Sequence, residues 1–191
     1  MQVIAASDIR ASAGYGDKQL KTTLGRFIEP PRRIERLILQ ALLGAAPLKP
    51  HLKRDCGLYL AASYPCRPNM QALLETICVA QRQPKPFEFV NSVSNAAGFH
   101  VAQRLGLEGP NLFIGAGPEV WSNLLELAAL DLHDGQVEQA LLIHCDNPDG
   151  FVVQALLLQA SDQPMPAGDF SALSRTLEVF RLDLDAEPLP N

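Results

Sequence analysis

The sequence lacks any run of about 18 consecutive apolar residues, so no part of it reads as a membrane-spanning helix. Its start, MQVIAASDIR, has no basic stretch followed by an apolar one, which argues against a secretory leader. Basic residues nowhere form a run: 16 stand against 21 acidic ones, a formal charge of −5. That balance argues against nucleic-acid or anionic-membrane binding through bulk charge. Cysteine is sparse as well. Cys56, Cys66, Cys78 and Cys145 are irregularly spaced with no C-x-x-C pair, so free thiols in a reducing cytoplasm are expected rather than a zinc site or disulfides. Internal repeats and low-complexity tracts are also missing.

What is present is the composition of a folded chain: 47% apolar and 19% charged residues, which excludes disorder. A chain of this length buries close to ~70% of the surface it exposes when unfolded and needs no metal or disulfide staple. Residues 1–191 are expected to form a single domain, with 161–191 as a peripheral tail. Within that tail Phe180, Leu182 and Leu184 alternate with Arg181, Asp183 and Asp185, the pattern of an edge strand.

Helical and extended patterns alternate along the chain, which points to an α/β layer architecture. Val3-Ile4 opens extended, and the polar, Gly-rich stretch Ser12 to Gly25 reads as loop. Ile34, Leu37, Ile38, Ala41 and Leu42 share one face of a helix that Gly44 should stop. GLYLAA, Gly57 to Ala62, suits a buried strand. Met70, Leu73, Leu74, Ile77 and Cys78 mark a second amphipathic helix, closed by Pro84 and Pro86. Phe87 to Val90 reads as extended, and Asn91 to Leu105 as a helix with Val93, Ala97, Val101 and Leu105 on one side and Gly106 as its cap. Gly109-Pro110 turns into a strand, Asn111 to Ile114. Gly115-Ala116-Gly117 breaks it, and Pro118 opens a helix to about His133. Asp134-Gly135 leads to strands Gln139 to His144 and Phe151 to Ala160. The short connection between these last two requires an antiparallel pair, hence a mixed sheet.

The segment Asn91 to Gly150 resembles the N-terminal half of β-ketoacyl synthases, the condensing enzymes of fatty-acid and polyketide synthesis. The resemblance rests on NSVSNAAGFHVAQRLGLEGPNL, then a Gly/Ala turn into a helix, then an apolar strand ending in a polar turn. Asn95, Ala97, His100, Leu105, Gly106, Gly109 and Pro110 stand where that family carries like residues. A basic helix start at Arg32-Arg33 and the GLYLAAS strand fit more loosely. The resemblance implies an α/β chain, half of a thiolase-like fold, with a mixed sheet of about five strands and helices on both faces.

In active synthases the turn after the G-P strand carries a nucleophilic cysteine at a helix start, where the dipole and unpaired N–H groups stabilise a thiolate. Counted from Gly109-Pro110, that position is Pro118, which has no nucleophile. Gly117 and Glu119 offer no substitute. The family's two catalytic histidines come from its second half, which has no counterpart in these 191 residues. No catalytic residue is therefore expected, and no cofactor or metal. The resemblance implies a non-catalytic partner of the chain-length-factor kind, similar to the small proteins of aryl polyene clusters. Such a subunit pairs with a full-length β-ketoacyl synthase, meets the acyl carrier protein only indirectly, and shapes the synthase's acyl tunnel. By the same resemblance Phe87, Phe89, Asn91, Val93, Asn95, Ala97, His100, Phe113 and Trp121 would lie at the interface or tunnel. Type II chain-length factors usually have glutamine at the cysteine position, so a decarboxylating role carried by that glutamine does not transfer.

Other readings stay open. Phe87, Phe89, Phe99, Phe113 and Trp121 could line an acyl tunnel or simply pack a core. His100 is expected to be structural, its ring bonded within the fold. His144-Cys145-Asp146 looks like a nucleophile set, but neighbours on a strand point to opposite faces. Gly115-x-Gly117 lacks the third glycine of a dinucleotide turn. A small acyltransferase or hydrolase using Cys145 or Ser94, and a free-standing acyl- or carrier-protein-binding module, are the two rival functions.

Overall fold

A computed structural model describes residues 1–32, 34–63, 67–147 and 150–186, apart from the side chains of Pro68 and Phe87. Six strands form one sheet: β1 (Gln2–Ser12), β2 (Gly57–Ala62), β3 (Asn111–Gly115), β4 (Gln139–Asp146), β5 (Gly150–Gln159) and β6 (Val179–Asp183), in the spatial order β3-β2-β4-β5-β1-β6. The sheet is mixed, as expected, with one strand more than the sequence suggested. β5 pairs antiparallel with both β4 and β1, while β2 runs parallel to β3 and β4, and β6 parallel to β1. Gln139 to Asp146 and Gly150 to Gln159 are two long apolar runs joined by a short loop, so they close as a hairpin; Pro148 and Asp149 of that loop lie outside the described residues.

The described residues contain seven α-helices: α1 (Asp17–Leu24), α2 (Arg36–Ala45), α3 (Arg67–Leu74), α4 (Pro86–Val90), α5 (Ala96–Leu105), α6 (Val120–His133) and α7 (Phe170–Leu173). Leu20 and Leu24 of α1, Ile38, Leu42 and Leu43 of α2 and Ala97 and Val101 of α5 pack on one face against Leu58, Leu60, Leu141, Val153 and Leu157. Leu124, Leu125 and Ala128 of α6 and Phe170 and Leu173 of α7 pack on the other, against Tyr59, Leu142, Leu156 and Leu158. Every residue of β2 is buried. A strand covered on both sides reads as a continuous apolar run, and GLYLAA does. β6 lies at the sheet edge, with Leu182 and Leu184 in the first core and Val179 in the second.

Several local readings are corrected. Ser12 to Gly25 is not all loop: α1 forms within it, because Leu20 and Leu24, four apart, bury against α2 and the Tyr15 and Thr23 hydroxyls bond at 3.0 Å. Gly44 does not end α2, which continues to Ala45 and into a 3₁₀ turn, Ala46–His51. Its missing side chain instead admits Val153, whose methyl a Cβ there would strike. The predicted helix start at Arg32-Arg33 is also displaced: α2 begins at Arg36, and Arg33 lies outside the described residues. Phe87 to Val90 is helical rather than extended. Pro86 suits the first turn of α4, and Glu88 Oε2 accepts from the Lys85 N–H at 2.8 Å, so caps outweigh the F-E-F alternation. Residues 91–95 are turns, and α5 starts only at Ala96. Val93 therefore leaves the buried face and stays exposed. Gly106 caps α5 in the left-handed region, φ 73°, as expected.

The amphipathic helix predicted around Met70 to Cys78 exists, as α3 continued by a π-helical turn, Glu75–Val79. Its apolar face is not packed. Leu73 is buried, whereas Met70, Leu74, Ile77 and Val79 are exposed.

Candidate functional site

The carboxyl ends of β2, β3 and β4 meet at one edge of the sheet, where α6 begins. β3 ends at Gly115, and the Ala116 N–H donates to the Ala62 carbonyl at 3.0 Å, tying the following turn to β2. The Val120 N–H donates to the Gly117 carbonyl at 3.1 Å, closing the turn that holds Pro118 and Glu119. α6 starts at Val120 with Glu119 as N-cap, so Pro118 sits in the turn just ahead of the helix rather than in its first position. Pro118 is exposed, and the space beside Gly115 and Gly117 is open. The turn therefore lies at the positive end of a 14-residue helix, accessible to solvent, with no nucleophilic side chain from 115 to 119.

The sulfur and hydroxyl groups nearby do not repair that lack. Register sets His144 opposite Ala61 and Cys145 opposite Ala62, and the two side chains point to opposite faces. His144 meets Trp121 edge-on at 5.9 Å on the α6 face, and burial lowers its pKa, keeping the ring neutral. Cys145 lies in the core on the other side, where burial pushes its thiol up to about 12. Cys56 is likewise buried and pushed up to about 12. Neither holds a thiolate near neutral pH. Cys78 is exposed, Cys66 lies outside the described residues, and Ser94 is exposed in the turn ahead of α5. Among the described residues no three His, Cys, Asp or Glu side chains gather as a metal ligand set. No helix among them is long and apolar enough to cross a membrane.

A second feature is the open edge at β3. Its outer side has no strand neighbour among the described residues, and Leu112 is 42% exposed. Phe99 of α5, Val93 in the preceding turn, and Phe89 and Val90 of α4 are exposed as well. α5 lies close on β3. A Cβ at Gly98 would strike the side-chain oxygens of Asn111 and Asn95, so the small-residue run Ala96-Ala97-Gly98 permits that approach.

The structure therefore divides the predicted interface set. Phe89, Val93 and Asn95 are exposed, and Asn91 is half-buried beside Asn69, whose Nδ2 donates to the Asn91 carbonyl at 3.0 Å. The side chain of Phe87 lies outside the described residues. Ala97 is core, and Phe113 is half-buried against the same core. Trp121 belongs to the opposite face, against Phe170 and His144. Phe113 and Trp121 accordingly do not share one tunnel in this chain, because they serve two different cores. His100 is half-buried beside Phe99, and Nδ1 has no hydrogen-bond partner among the described residues, contrary to the expected internal bond. Burial, with Arg104 nearby, lowers its pKa. Sequence reasoning missed Leu112, because a five-residue strand gives no sign of which edge it occupies.

No protein-family model matches the sequence, and no curated protein matches it. Solved structures do. A chain from the complex of the ketosynthase ApeO with its chain length factor ApeC, from Xenorhabdus doucetiae, superposes with a TM-score of 0.65 at 14% identity, over 84% of this chain and 79% of that one. The ishigamide ketosynthase/chain length factor gives 0.63 at 16%, over 82% of this chain and 51% of that one. A ketosynthase from module 1 of the bacillaene synthase of Bacillus amyloliquefaciens gives 0.55 at 15%, over 84% and 42%. This chain thus spans most of the first of these chains and about half or less of the other two. With its mixed sheet clasped by helices on both faces, the chain has the thiolase-like fold of the ketosynthases and ketosynthase–chain length factor structures it superposes on.

Proposed function

We propose that this chain is a non-catalytic, chain-length-factor-like subunit that pairs with a full-length β-ketoacyl synthase and shapes the far end of its acyl tunnel. The observation that carries the reading is Pro118. It occupies the exposed turn between β3 and α6, where the fold presents a helix N-terminus suited to a thiolate, and its ring can neither attack nor hold an acyl group. A buried Cys145 pushed up to about 12 supports the same conclusion, since it removes that thiol from service as a nucleophile.

The open β3 edge is the pairing surface. An added strand from the synthase satisfies the unpaired backbone groups of β3, and Leu112, Phe99 and Val93 bury against its flanks. Phe89, exposed on α4, is the side chain that reaches the synthase's tunnel in this reading. A growing chain stops where another unit would overpack against it, so chain length is set sterically rather than chemically. The carrier protein is met only through the synthase. The complex works in a soluble cellular compartment on acyl chains of fatty-acid or polyketide type, with aryl polyene synthesis as the closest setting.

The test is co-expression with a candidate synthase and capture through a tag on one subunit. A stable complex is expected, and Leu112→Asp abolishes it while leaving the melting temperature of the free chain unchanged, because the residue is 42% exposed there. Capture by neither a cognate nor a related synthase, from a chain that is otherwise well folded, overturns the proposal.

A further inference from the structure

The β3 face is not the only unpartnered surface. α3 and the π-helical turn together run from Arg67 to Val79, 13 residues, and the side of this rod facing away from the sheet is open. Met70, Leu74 and Cys78 recur every four residues along it, with Val79 at the end; Met70 is 42%, Leu74 52% and Val79 80% exposed. Beside this apolar ridge runs a second one, Arg67, Gln71 and Glu75, and the two ridges bound a shallow groove of about 390 Å³. The Gln71 amide donates to Glu75 Oε1 at 3.3 Å, aligning the polar ridge along the helix. The opposite side of α3 is occupied differently: Leu73 is buried there, and Asn69 reaches the Asn91 carbonyl.

We propose that this face is a self-association site at which a second copy of the chain docks its own α3 antiparallel across a twofold axis. This goes beyond pairing with a synthase and does not depend on it. The argument is the order of charges. Read along the helix, the polar ridge is positive, neutral, negative. Turned end for end, the same ridge presents negative, neutral, positive, so each Arg67 faces the second copy's Glu75 and the Gln71 pair lies near the axis. A twofold contact requires a surface complementary to itself, and this one is. A parallel arrangement would set like charges together. Leu74 then meets Leu74 at the centre, and Met70 lies beside the second copy's Cys78. Arg67 also has an interaction within its own chain, and a guanidinium with five donors accommodates more than one acceptor.

Light scattering on the full chain at about 100 µM reads the mass directly. Twice the 20.8 kDa chain mass is expected. Leu74→Glu sets two carboxylates at the centre of an apolar contact and weakens the dimer by ~100-fold or more, leaving a monomer with unchanged far-UV circular dichroism. Arg67→Glu creates two like-charge contacts by symmetry and weakens it roughly tenfold at low salt, less at high salt. The double exchange, Arg67→Glu with Glu75→Arg, restores the original affinity. A monomeric chain at this concentration overturns the proposal. So does a dimer that survives Leu74→Glu, or one dissolved by Leu112→Asp, because its contact would be the β3 edge. Synthase capture is scored separately: Leu74→Glu is expected to retain it, so loss of the dimer and loss of the synthase complex are distinct results.

Discussion

If the turn ahead of α6 is where a condensing enzyme would keep its thiolate, then a cysteine placed there should be activated by the helix. Pro118→Cys tests this, in a background with Cys66 and Cys78 changed to serine. Position 118 is exposed, so the new thiol is reachable, while Cys56 and Cys145 stay buried. A helix N-terminus stabilises a nearby anion by about 0.3–1 kcal/mol. At about 1.36 kcal/mol per pKa unit, that lowers a thiol from about 8.5 to roughly 8. The neighbouring Glu119 carboxylate opposes the shift, so Pro118→Cys with Glu119→Gln should fall lower still, to roughly 7.5–8. Losing proline from a turn costs about 0.4–1 kcal/mol, too little to unfold the chain. The assay is the pH dependence of iodoacetamide alkylation, which follows the thiolate fraction. A pKa at or above about 8.5 in both variants would refute the reasoning, because the helix would then exert no field on the position proposed as the nucleophile's place.

Other consequences follow from burial and packing. In the native chain a thiol reagent at pH 8 should label Cys78 and leave Cys56 and Cys145 untouched until denaturant is added; rapid native labelling of Cys145 would reopen the nucleophile reading. Gly44→Ala should destabilise the fold, since the clash with Val153 costs roughly 1–3 kcal/mol against about 1 kcal/mol gained in helix propensity. A lower urea midpoint checks it, and an unchanged or higher one contradicts the close packing of α2 on β5. Glu35, the N-cap of α2, has a buried Oε1 with no partner among the described residues, and burial, with Asp17 nearby, raises its pKa to about 7. An acid whose pKa is higher folded than unfolded loses stability as pH rises, here from about 4.5 to 7. Glu35→Gln should therefore flatten the stability profile over that window and gain on the wild type at pH 8, which urea titrations at pH 4.5, 6 and 8 would show.

Much of the fold was legible wherever local pattern and burial agree. GLYLAA is apolar throughout because β2 is covered on both faces, and its limits match the strand residue for residue. Gly106 and Gly135 were readable as turns because the backbone there takes φ of 73° and 67°. Errors arose where pattern and environment part. F-E-F alternates like a strand, yet Pro86 and the Glu88 cap make α4. Leu20 and Leu24 sit in a polar, Gly-rich context that hides α1. The Met70 to Cys78 stripe has the period of a buried helix face, but period alone cannot say whether anything covers it.

The candidate site divides the same way. Pro118 could be singled out from sequence, because its distance from Gly109-Pro110 and the lack of a nucleophile there are properties of the chain itself. That Trp121 and Phe113 belong to different cores, and that Cys145 turns away from His144, depend on which face of the sheet each strand and helix presents. By itself the sequence determined the alternation of helices and strands and the hairpin of β4 and β5, since each is encoded within a few neighbouring residues. Only tertiary structure decided that β3 lies at an open edge and that α3 turns its apolar ridge outward. Strand order and helix coverage are set by contacts between residues far apart in the chain, and a one-dimensional pattern carries no record of which surface is left without a neighbour.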